Sequence, residues 1–191
     1  EQRGYLRAFL VLLILAPLLL FIIYDQIFSV IAILGLSFLF YILLGSKNMF
    51  FIYSDRWHLF LELGLFYILF VLFFSFAKEN FLLSLGAVFI ASIFLLQEFF
   101  KVGNSGEIKK NIEVTLAAFG ALLITETLWV INLLPLLAVN SANLGAIIFF
   151  VIIDILRHYT KLTLTRRVVM VNVTVFVLVT ILIFMSSNWT I

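Results

Sequence analysis

Few residues in this chain could do chemistry, and the most prominent is Glu126, set in the run Thr125-Glu126-Thr127-Leu128-Trp129. Trp129 and Asn132 follow it at steps of three. On a helix these three side chains fall on adjoining parts of one face, climbing along the axis. A carboxylate there can bind a cation, hold a proton or accept a hydrogen bond from a polar ligand, and an indole and an amide beside it can complete such a site. Pro135 removes the N–H that would reach the carbonyl of Ile131, leaving that carbonyl to another donor or to a ligand. Asn140 and Asn143 carry the polar series further. Glu126, Trp129, Asn132 and Asn140 thus make up the candidate binding path. The alternative role for Glu126 is a neutral carboxyl that hydrogen-bonds a neighbouring helix and holds the two together.

A second set of polar residues, His58, Glu62, Glu98, Asp154 and Asn172, falls near the opposite ends of the same apolar segments. It reads either as the inner end of a proton or ion path, or as interfacial ion pairs with Arg56, Lys101, Arg157 and Arg167, whose long stems reach toward water. His58 and His158 both sit at segment ends, an unpromising arrangement for a metal or haem pair, so no metal and no cofactor are expected. The chain has no cysteine, which removes disulfides, thiolate-bound zinc, iron–sulfur clusters and thiol catalysis. A Ser–His pair, paired aspartates, H-E-x-x-H and a Gly-rich phosphate loop are all missing from the apolar segments. Enzymatic catalysis is accordingly the least supported class of function.

The elements that must position these residues are set by composition. Hydrophobic residues make up 65% of the 191, and charged residues 12%; mean hydropathy is +1.26. A soluble domain carries roughly 45–50% apolar and about 25% charged residues. So little polar surface cannot cover a water-soluble protein of this size, and the solvent that suits it is a lipid bilayer. The formal charge of +2 does not indicate nucleic acid, because the basic residues are scattered over short connections and form no stripe.

Crossing a hydrocarbon core of ~30 Å takes about 20 helical residues. On that measure the chain divides into seven spans, at about 6–24, 27–45, 57–77, 81–99, 114–137, 138–156 and 168–185. The fold class predicted is therefore all-α, one polytopic transmembrane bundle filling residues 1–191. Lys and Arg gather on the cytoplasmic side of membranes. With the N-terminus inside, eleven of the twelve basic residues fall in inner segments and only Lys78 outside; the C-terminus is then outside. Dropping the sixth segment breaks this alternation. Arg3 and Arg7 before an apolar run imitate a signal peptide, but no A-x-A-like site follows, and the run reads as a retained first helix. The opening Glu1 suggests a trimmed terminus.

Small residues at Ser84, Ala87, Ala91 and at Ala117, Gly120, Ala121 predict a close approach of the fourth and fifth helices, which would set Glu126 against the fourth. A retinal Schiff base would need a lysine in the last span, and 168–185 has none. Two functions remain. One is a small transporter or ligand-binding bundle, taking a small polar ligand or cation along a path from the outer face to Glu126. The other is a non-catalytic accessory or assembly subunit that meets other membrane subunits. Either belongs in an integral membrane protein, with the plasma (inner) membrane as the expected location.

Overall fold

The computed structural model describes residues 6–22, 26–47, 54–103, 110–160 and 162–186, with side chains for 8–20, 29–43, 59–100, 111–160 and 162–185. All regular structure among them is helical: α1 (Leu6–Ile22), α2 (Gln26–Lys47), α3 (Ser54–Phe76), α4 (Phe81–Gly103), α5 (Lys110–Asn132), α6 (Ala138–Thr160) and α7 (Arg166–Ser186). Lipid offers backbone amides no hydrogen bonds, so each segment must satisfy its own, and the helix does so within one segment. Five helices contain stretches long and apolar enough to cross a membrane: Leu59–Phe76, Phe81–Phe100, Asn111–Asn132, Ala138–Thr160 and Arg166–Met185. α1 and α2 contribute shorter apolar stretches, Ala8–Leu20 and Ser29–Leu43. The chain is a multi-pass helical membrane protein in contact with a lipid bilayer.

The helix ends follow local chemistry. Asn80 caps α4, its carbonyl accepting the Ser84 amide at 3.0 Å, at a position where asparagine is favoured. α6 closes in a Schellman motif: the Thr163 amide reaches the His158 carbonyl at 2.9 Å and the Leu162 amide reaches Tyr159 at 3.1 Å. That motif puts its C′ residue in the left-handed region, and Leu162 takes it with φ 52°. α5 stops at Asn132, five residues short of the segment end expected from hydropathy, so Pro135 lies in the link to α6 and not in a helix. The Leu134 amide donates to the Ile131 carbonyl at 3.0 Å. Of the two fates expected for that carbonyl, another donor or a ligand, the structure shows the donor.

α3 is the centre of the bundle, packed against α1, α2, α4 and α6. Phe66 and Phe70 of α3 and Phe149 of α6 form its aromatic heart; Phe66 stacks on Phe149 with ring centroids 3.9 Å apart, and Phe70 meets Phe149 edge-on at 6.1 Å. Gly145 lets α6 come close: a Cβ there would lie 3.1 Å from Leu128 Cδ2 and 3.2 Å from Phe70 Cδ2. α4 and α5 form the other intimate pair. Ala117 and Ala121 are fully buried, and a Cβ on Gly120 would stand 2.9 Å from Leu96 Cδ1. The α4 side of this contact differs from expectation. Ala87 is exposed, and the buried face of α4 is Val88, Ser92, Leu95 and Leu96. α7 packs on α6.

Candidate functional site

α5 buries Ala117, Ala121, Ile124, Leu128 and Ile131. The opposite side, Phe119, Leu122, Glu126 and Trp129, is exposed. Glu126 therefore points away from the bundle, not against α4, and Trp129 beside it is 53% exposed. Asn132 is exposed at the end of α5, and Asn140 is half-buried in the first turn of α6. Glu126 and Trp129 share one stripe, whereas Asn132 stands about 120° around the axis from Glu126. The flanking threonines are occupied by backbone: Thr125 Oγ1 donates to the Ala121 carbonyl and Thr127 Oγ1 to that of Leu123, both at 2.7 Å. Among the described residues Glu126 has no hydrogen-bond or ionic partner.

The best-formed crevice among the described residues lies on the inner side of α5, between Phe70, Ile124, Thr127, Leu128 and Phe149, and has no room for a water molecule. Along the axis Glu126 is ~24 Å from Lys110 and ~9 Å from Asn132. A charged group at such a depth facing hydrocarbon costs about 2.5–3.5 kcal/mol on insertion scales. None of the described residues packs against the carboxyl to offset that cost.

The second set of candidate residues divides between two helix pairs. Glu62 of α3 and Glu98 of α4 are each 1% exposed and are electrostatic neighbours. Glu98 Oε2 accepts the amide of Ala8 at 2.7 Å. Ala8 is the third residue of α1, so this amide is one of the four at a helix start that have no partner within the helix. The carboxyl of α4 thus caps α1 from across the bundle, and the partial positive charge of the helix start favours it there.

The other pair is α6 and α7. Asn172, 5% exposed, donates from Nδ2 to Asp154 Oδ2 at 2.6 Å and to the Val168 carbonyl at 3.2 Å. His158 Nδ1 lies 3.0 Å from the Asp154 carbonyl and 3.6 Å from Asp154 Oδ1. Asp154 orients the imidazole and ties α7 to α6, an arrangement that needs no substrate to account for it. His58 lies in the first turns of α3, and its side chain is outside the described residues.

Among the described residues no three of His, Cys, Asp and Glu group in a way that could hold a metal ion. One buried polar group escaped the sequence reading. Ser92 is fully buried, and its Oγ makes no hydrogen bond among the described residues. A serine within an apolar run carries no sign of which way it faces. No known protein family, curated protein or solved structure matches the chain.

Proposed function

We propose that this chain is a non-catalytic subunit of a larger membrane complex and that it assembles through the outward face of α5. The observation that carries this reading is the placement of Glu126 and Trp129 on the exposed side of that helix. A path for a polar ligand from the outer face to Glu126 needs an interior route, and the tight apolar packing behind α5 offers it no support. An interface needs the reverse arrangement: polar and aromatic groups facing outward, with nothing of the chain's own to cover them.

In this reading all seven helices span the membrane, N-terminus inside and C-terminus outside, in the plasma (inner) membrane. The distribution of Lys and Arg, eleven inside and one outside, supports that orientation. The test is extraction of the chain from its native membrane with a mild detergent or a nanodisc-forming polymer. A stoichiometric membrane partner, lost when Glu126 and Trp129 are both replaced by Leu, is the expected result. Recovery of the wild-type chain as a lone monomer overturns the proposal.

A further inference from the structure

The exposed side of α5 has the spacing of a helix seam. Thr115, Phe119, Leu122, Glu126 and Trp129 are all exposed and recur at alternating steps of four and three. That 3.5-residue repeat is what a second helix crossing at a shallow left-handed angle requires. The buried residues Ala117, Ala121, Ile124, Leu128 and Ile131 repeat with the same steps on the side that meets α4 and α6. α5 is thus equipped to be gripped from both sides, and one side is open.

We infer that the open side receives a transmembrane helix of a different polypeptide that carries a Lys or Arg at the depth of Glu126. This rests on the assembly reading above and adds the chemistry of the partner. The argument is one of charge. Glu126 has no partner of its own among the described residues, because Thr125 and Thr127 spend their hydroxyls on backbone carbonyls. Trp129 lies one turn away on the same stripe, so a cation placed between them meets a carboxylate and an aromatic face together.

A second copy of this chain cannot supply that cation. Inserted in the same orientation, it presents its own Glu126 at that depth, and every Lys and Arg of the sequence lies in a connection or at a segment end. Carboxylate against carboxylate is repulsive, and a neutral lipid tail offers nothing to the charge. A basic residue on another helix answers both the charge and the spacing.

The test uses the full chain in lipid nanodiscs with synthetic leucine-rich transmembrane peptides bearing Lys, Leu or Glu at the centre, binding being read by energy transfer. The Lys peptide is expected to bind about tenfold more tightly than the Leu peptide, as suits one favourable polar contact in a bilayer. Glu126→Gln should abolish that preference, and Glu126→Lys should transfer it to the Glu peptide. Equal binding of the Lys and Leu peptides to the wild-type chain overturns the inference, as does a preference that survives Glu126→Gln. Energy transfer between two labelled copies that is lost in Glu126→Gln also overturns it, in favour of self-association. A stable native complex without any Lys preference sinks this inference alone, whereas a lone monomer on native extraction sinks the assembly reading with it.

Discussion

The bond between Glu98 and the start of α1 can be tested with two substitutions that differ in one property. Ala8 is fully buried, and its amide donates to Glu98 Oε2 at 2.7 Å across a separation of 90 residues. Glu98→Gln keeps a carbonyl oxygen at nearly the same reach. It gives up the attraction between a carboxylate and the helix start, about 0.3–1 kcal/mol, and also removes the negative charge beside the Glu62 carboxyl. These effects oppose each other, and the expected net loss is about 1 kcal/mol or less. Glu98→Leu keeps the volume and removes the acceptor, leaving a buried amide unsatisfied at about 1–3 kcal/mol. With the lost attraction to the helix start added, the total comes to roughly 1–4 kcal/mol. Reversible unfolding in mixed micelles measures both, and a single cysteine at Ala8 in this cysteine-free chain reports where the damage falls. In the Leu variant that thiol should react with a maleimide while the rest of the bundle stays folded; in the Gln variant it should remain protected. Equal destabilisation by Gln and Leu, or protection of the thiol in both, would refute the claim that Glu98 acts as the cap of α1.

Phe149→Ala removes the ring stacked on Phe66 at 3.9 Å and should cost about 3 kcal/mol through an unfilled cavity and lost ring contacts, measured by the same unfolding assay. Leu162→Gly should raise stability by about 1 kcal/mol, because glycine adopts the φ of 52° without the clash a side chain suffers; a loss there would mean that the leucine side chain is needed. Asn172→Leu should loosen α7 from α6 by about 1–2 kcal/mol by stranding Asp154 Oδ2, the acceptor at 2.6 Å, and Asn172→Asp should loosen it more. For orientation, an impermeant thiol reagent applied outside intact cells should label Lys78→Cys and spare Leu162→Cys. The opposite pattern would reverse the topology.

What the sequence disclosed and what it withheld have one cause. The existence of the helices could be read from twenty-residue apolar runs, since length against bilayer thickness needs no knowledge of neighbours. The facing of each helix could not. In water, a polar side marks the surface of a helix and an apolar side its core, whereas in lipid both sides are apolar. The sequence therefore places Glu126 within the fifth apolar run but does not show its outward direction. Ala87 faces outward, and its direction cannot be read for the same reason, since a small residue suits either a helix contact or the lipid boundary. Depth, in contrast, was legible. Asp154 and Asn172 stand nine residues on either side of Thr163, which places them level in a helical hairpin, and there the structure joins them. The pairing of Asp154 with an amide in place of a guanidinium depended on side-chain reach across that hairpin.

The attachment of α7 bears on how the protein is made. Only 11% of its apolar stretch is buried within the bundle, against 56% for α3, and its packing partner is α6. The six preceding helices contain the aromatic heart and the Glu98 cap, so they can complete their fold while the last helix is still in the ribosome or the insertion machinery. The α6–α7 link then behaves as a natural seam in the polypeptide. Cut at Leu162 and expressed as two fragments, the protein should reassemble in the bilayer, with the Asp154–Asn172 bond setting the register of the returning piece.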